Sequence, residues 1–258
     1  MSDDQNMEFD WLIVCALQIE STVLARLLNN SRSISIGNIP VTIGHIKAAR
    51  IALLTTGPGR KRVRQVLPLV LDEIQVSHLL NAGLCGGLSP VLSAGALIVP
   101  RFAIEEQGHQ LELTPPLEHL QESFTTSALL TVIHPLHSRE AKKKAFEDRS
   151  AQAVDMEAYF LAEITHARQI PLTVIKGVSD DALTDFPAEL IHVMKQDGGV
   201  HWSRLMELIF FRPGIIVQLL RLQKSSWLAM KNVSNQVVKQ IEQYRLNPKN
   251  KGTADERR

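Results

Sequence analysis

The 258-residue sequence predicts an α/β protein with a mostly parallel central sheet. Three observations carry this. Short continuous apolar runs, such as WLIVCAL at 11–17 and LTVIKGVS at 172–179, read as strands buried on both faces. Segments with apolar residues at helical spacing stand between them. Residues 153–182 place a strand, a helix of about a dozen residues and a second strand in succession, the pattern of a βαβ unit.

In order along the chain, residues 1–10 form a polar N-terminal tail and 11–17 the first strand, with Glu20 just beyond it. Residues 21–28 read as a helix with Val23, Leu24, Leu27 and Leu28 on one face. Residues 33–56 alternate and turn at Gly37 and Gly44, giving two or three strands that end at Gly57-Pro58-Gly59. A helix over 60–74 is kinked or shortened by Pro68. The strand at 78–82 runs into a Gly-rich loop, NAGLCGG, able to turn backbone N–H groups toward a ligand. A strand over 95–104 contains Pro100, and 107–127, broken by Pro115-Pro116, is a loop over the sheet. After a strand at 129–134 comes a charged surface helix at 139–148, then the 153–182 unit. A helix follows to about Lys195. Residues 11–200 are thus expected as the main α/β domain, 201–245 as a helical C-terminal extension broken at Pro213-Gly214 and Ser225-Ser226, and 246–258 as a disordered tail.

The net charge of +1 offers no field for nucleic acid, so none is expected as a partner. Cys15 and Cys85 lie in apolar runs, as buried thiols of a reducing compartment do. No metal-ligand spacing occurs, and neither metal nor cofactor is expected. The N-terminus lacks the basic and apolar regions of a secretory signal, and no apolar run is long enough to span a membrane, so the expected location is the cytoplasm.

Three acids stand out by position: Glu20 after strand one, Glu157 after AVDM, and Asp180 after LTVIKGVS. Alone, each would pass as a first-turn helix acid. Together beside a Gly-rich segment they point to a ligand site at one edge of the sheet, where open α/β sheets bind their ligands. Asp155 and Asp181 read as supporting or solvent-facing acids.

The segments IVCALQIE, TTGPG, LLNAGLCGGLSPVLSAGALIV, AVDMEA and VIKGVSDDA occur in this order, and the aspartate of SDDA follows Glu157 by 23 residues. In this, residues 11–182 resemble the purine nucleoside phosphorylase and methylthioadenosine/S-adenosylhomocysteine nucleosidase superfamily. The resemblance implies a three-layer α/β/α fold with a mixed sheet and cleavage of the N-glycosidic bond of a 5′-substituted adenosine. It implies that Glu20 positions or activates water, that Glu157 binds ribose hydroxyls and Met156 packs on the sugar, and that Asp180 protonates the purine. Asp155, Gly83, Leu84 and, beside the base, His134 join them as substrate-binding positions. It further implies a homodimer.

An acid at the purine makes adenine a better leaving group, and carboxylates favour positive charge growing on the ribose. To hold a proton Asp180 needs burial or a neighbouring acid, such as Asp181. Phosphorylases of this superfamily resemble RVGSCGA in the Gly-rich segment, whereas Asn81 and Leu84 stand at its arginine and serine positions, which favours water as nucleophile. Arg60 is the residue that would restore phosphate binding.

Between Arg212 and Gln240 the chain has five basic residues and no acidic one, interleaved with Ile, Leu, Val and Trp. Such a helix either packs on protein or makes peripheral contact with an anionic membrane. The extension and the apolar Leu84 resemble a subgroup associated with hopanoid synthesis, which implies a lipid nucleoside such as adenosylhopane as substrate. A methylthioadenosine/S-adenosylhomocysteine nucleosidase, a phosphate-dependent phosphorylase and a non-catalytic nucleoside-binding protein are the alternatives.

Overall fold

A computed structural model describes residues 7–115, 128–185, 193, 207–208, 211 and 215–246. Its first strand, β1 (Glu8–Cys15), is buried from Trp11 to Cys15 and lies between two parallel neighbours, β4 (Ala49–Thr55) and β5 (Gln75–Gly87). That position explains the unbroken apolar run, because both faces of the strand are covered. Leu12 and Val14 face one core and Trp11, Ile13 and Cys15 the other. The first core is closed by Val63, Val66, Leu67 and Val70 of helix α2 (Gly59–Leu71) and by helix α4 (Ala158–Ala167). The second is closed by Leu24 of helix α1 (Gln18–Ala25) and by Met230, Val233, Val237 and Ile241 of helix α5 (Ile215–Leu246). The layers are helix, sheet and helix, as expected.

The sheet is mixed. Strands β2 (Asn29–Ile36), β3 (Ile39–Ile46) and β4 form an antiparallel meander. The order continues through β1 and β5 to β10 (Ala153–Asp155), β9 (Ala128–Thr131), β7 (Phe102–Glu105) and β8 (Gln110–Glu112). Strand β11 (Leu172–Asp180) pairs in parallel with β5, and β6 (Leu97–Ile98) pairs antiparallel with β11.

Several expectations change. The Gly-rich stretch 81–87 is strand: Ala82, Gly83, Leu84 and Cys85 pair with Ile175 to Val178 of β11, which makes β5 13 residues long. Gly44 lies within β3, where a Cβ would sit 2.9 Å from the Asn29 carbonyl; the second turn is made by Lys47 at φ 55°. The 95–104 strand splits into β6 and β7 around Pro100, and β8 forms in the stretch read as loop. Strands β10 and β11 are no parallel βαβ pair, because β10 runs antiparallel to β5 and β11 parallel to it. Helix α5 runs unbroken through Ser225-Ser226, with the Ser225 hydroxyl donating to the carbonyls of Leu222 and Ser179. The helix expected to about Lys195, most of the one over 202–211, the loop over 116–127 and the tail from 247 lie outside the described residues.

Candidate active site

Strand β5 gathers the acids. Its C-terminal half takes β11 along one edge and the two-residue contact of β10 at Gly86 and Gly87. Residues at the C-terminal ends of β10 and β11 therefore meet over the same few glycines although the two strands run in opposite directions.

Glu20 sits in the first turn of α1, fully buried. Its Oε2 accepts the backbone N–H of Ala16 (3.0 Å) and Leu17 (2.9 Å), and its Oε1 accepts that of Leu84 (2.7 Å). It is both a helix cap and a group held against β5. Gly83 is what admits it: a Cβ there would lie 2.6 Å from Oε1 and 2.9 Å from Cδ. Burial raises the pKa of Glu20; the Lys176 ammonium and the three N–H groups pull the other way without cancelling that rise.

Glu157 stands at the N-cap of α4 and reaches away from it, accepting the N–H of Gly59 at the start of α2 (2.8 Å). Gly59 holds φ at 84°, a conformation that suits glycine, and the Met156 methyl lies 3.6 Å from where its Cβ would be. Burial pushes Glu157 up to about 7, opposed by Lys176 and Gly59 N–H and reinforced by Asp155 and Glu20.

Two lysines missing from the sequence reading organise this cluster. Lys176, in the middle of β11, has only 2% of its surface exposed, and its Nζ pairs with Asp155 Oδ2 at 3.0 Å. Burial works against its charge, but Asp155, Glu157 and Glu20 outweigh burial and raise its pKa. Asp155 is saturated: Oδ1 accepts the Thr131 hydroxyl (2.8 Å), and Oδ2 accepts Ala158 N–H (3.0 Å) as well as Lys176. It is an internal anchor rather than a solvent-facing acid. Lys142, expected on the surface, is fully buried and donates to Asp180 Oδ2 (2.5 Å), Asp181 O (2.8 Å) and Thr184 O (2.9 Å). The neighbour that acts on Asp180 is therefore a cation. Asp181 turns its own carboxylate to Leu183 N–H and the Thr184 hydroxyl. The Ser179 hydroxyl donates to Asp180 Oδ1 at 2.5 Å.

The remaining expected positions lie outside this network. His134 is exposed in the segment after β9. Arg60 is exposed, with its guanidinium 5.6 Å over the Phe160 ring. Asn81 is buried and donates to the Val14 carbonyl, a structural bond between β5 and β1. The signal for Lys176 was in the sequence, since a lysine in the middle of an apolar strand must meet acids. For Lys142 it was fainter: among three consecutive lysines it shares a helix face with Ala145 and Phe146.

A sequence model of the Phosphorylase superfamily matches residues 10–133 and 117–206. The chain belongs to this superfamily. The expectation of an N-ribosyl hydrolase or nucleoside phosphorylase agrees with that membership. Among curated relatives, a 5′-methylthioadenosine/S-adenosylhomocysteine nucleosidase of Buchnera aphidicola is 26% identical over 198 residues, covering 66% of this chain and 77% of its own. Among solved structures, the nucleosidase of that name from Neisseria meningitidis, in complex with methylthio-immucillin-A, superposes with a TM-score of 0.67 at 16% identity, covering 92% of this chain and 99% of that one. The nucleosidase from Colwellia psychrerythraea, in complex with adenine, gives a TM-score of 0.68 at 17% identity, covering 93% and 96%. These likenesses establish that the superfamily member has the nucleosidase fold.

Proposed function

We propose that the protein hydrolyses the N-glycosidic bond of a 5′-substituted adenosine and releases adenine. The observation that carries this is the buried group of Glu20, Asp155 and Glu157 around the single Lys176 ammonium. Three carboxylates against one cation favour the positive charge that develops on a ribose as its bond to the base breaks. They disfavour a phosphate dianion, and Leu84 offers it no side-chain donor. Water is the nucleophile that suits such a site. Glu20, with its raised pKa, takes a proton from the water as its oxygen bonds to C1′, while the C1′–N9 electron pair stays with the purine. Glu157 accepts ribose hydroxyls with Met156 against the sugar, and Asp180 passes a proton to the purine, so that adenine leaves neutral. The curated relative and the two solved structures, all nucleosidases by name, support the same reading.

For the 5′ substituent we favour a large apolar group, of which hopane is one example. The N-terminal half of α5 stands beside the Asp180 turn through the Ser225–Ser179 bond, and it exposes Ile216, Val217, Leu220, Trp227 and Leu228. Arg221, Lys224 and Lys231 lie on the same stretch, a combination that suits peripheral contact with an anionic membrane. No helix among the described residues is long and apolar enough to cross one. The test is adenine release from 5′-methylthioadenosine, S-adenosylhomocysteine and a 5′-alkyl adenosine presented in anionic vesicles. We expect the highest kcat/KM with the alkyl substrate. Higher values for the two thio-substrates would assign the ordinary nucleosidase activity instead.

A further inference from the structure

We propose that Lys142 is a positioning residue for cleavage, acting on the leaving purine through Asp180. Its side chain has no exposed surface, and its three ammonium protons are all committed, to the Asp180 carboxylate and to the carbonyls of Asp181 and Thr184. A buried ammonium is costly unless every proton finds an acceptor, and here each one does. Lys142 projects from the first turns of helix α3 (Arg139–Arg149), and one turn earlier Arg139 grips Asp185 through its backbone N–H (2.9 Å) and its guanidinium (3.1 Å). The start of α3 thus clamps the 180–185 turn at two points. The outer clamp is an exposed pair, which stabilises little. The inner one fixes a carboxylate oxygen.

With Oδ2 held by Lys142 and Oδ1 touched only by the Ser179 hydroxyl, Asp180 presents Oδ1 as its free edge. Gly86 of β5 lies directly under this carboxylate, since a Cβ there would stand in ordinary contact with it, 3.5 Å from Oδ2 and 3.8 Å from Oδ1. A carboxylate pinned at one oxygen has one orientation for the other, and a catalytic contact that needs no reorganisation is worth orders of magnitude in rate. Among the described residues Lys142 is the cation paired with Asp180, and Lys176 is the one paired with Asp155. Among the described residues two separate lysines are therefore buried, one at the sugar end of the proposed site and one at the base end.

The inference rests on Asp180 being the group that meets the purine, and a double-mutant cycle separates the two ideas. Turnover of an adenine nucleoside is measured for wild type, Lys142→Met, Asp180→Asn and the double variant, with thermal unfolding of each. The Asn amide removes the unpaired charge, so the double variant keeps the fold measurable even where Lys142→Met alone does not. We expect Lys142→Met to lower kcat on the order of 10²-fold with KM changed far less, and to cost nothing further in the Asp180→Asn background. We also expect Lys142→Met to spare hydrolysis of p-nitrophenyl riboside, whose leaving group departs without help. Equal losses on both substrates, or additive losses in the cycle, would reduce Lys142 to a structural residue and overturn the inference. Full turnover by Asp180→Asn would instead remove Asp180, and the proposed chemistry at the base, from the account.

Discussion

Glu20 shows how one carboxylate can serve a helix and a reaction together. It caps the start of α1 with one oxygen and binds β5 through Leu84 with the other, so its position is fixed by three N–H groups before any substrate arrives. Gly83→Ala should displace it, because the new methyl would lie 2.6 Å from Oε1. We expect kcat to fall by about 10²-fold, as happens when a positioned catalytic group is moved, with circular dichroism unchanged. Glu157 makes a second prediction, on stability. Its folded-state pKa is raised to about 7 from an ordinary 4.5, so the folded protein binds the proton more tightly than the unfolded chain. Stability from this group is then full below about 4.5, declines as pH rises toward 7, and stays low above it. Glu157→Gln should raise Tm at pH 8 and change it little at pH 4.5, read by calorimetry. The three acids were legible because each ends an apolar run, where a charge has few structural excuses. The partners of Lys142 and Lys176 were not: a lysine inside an apolar strand signals that it must meet acids but not which ones, and the sequence marks only faintly which lysine of a charged helix turns inward.

At the level of elements, the strand that does most for the site is β5, and its length was the hardest feature to read. Glycines at 83, 86 and 87 look like a loop in sequence. They are strand because β11 lies alongside and pairs with them, a tertiary effect that overrides local propensity. Gly83 then makes room for Glu20, and Gly86 lies in contact range of the Asp180 carboxylate. Helix α5 departs from its sequence pattern in the opposite sense: Ser225-Ser226 reads as a break, but the Ser225 hydroxyl satisfies carbonyls on its own helix and on Ser179, and the helix continues. Its contact with β11 depends on Gly177, where a Cβ would approach the Ala229 carbonyl to 2.8 Å. Gly177→Ala should therefore destabilise the protein by about 1–3 kcal/mol, the usual cost of overpacking a tight contact, measured by urea unfolding. A smaller effect would mean that α5 can slide on the sheet at no cost.

Across the whole molecule, the alternation of strands and helices was enough to give the class, and the ordered motifs the superfamily. The C-terminal region needed the structure. Its 92% share in the superposition with the Neisseria meningitidis nucleosidase exceeds what residues 1–200 of 258 could supply, so part of that region belongs to the shared fold. Consistently, α5 closes one core with Met230, Val233, Val237 and Ile241. Among the described residues, its exposed large apolar side chains lie in its N-terminal half, beside the Asp180 turn. One end of the molecule thus combines a buried cluster of carboxylates with an exposed apolar and basic surface, the juxtaposition on which the proposed apolar 5′ substituent rests.

The most direct test of this account follows adenine and sugar from a 5′-substituted adenosine in buffer freed of phosphate, and again with phosphate added. Hydrolysis by the Glu20 water predicts adenine release at the same rate in both, with the free 5′-substituted ribose as the other product. Release that requires phosphate, with the sugar recovered as its 1-phosphate, would contradict it.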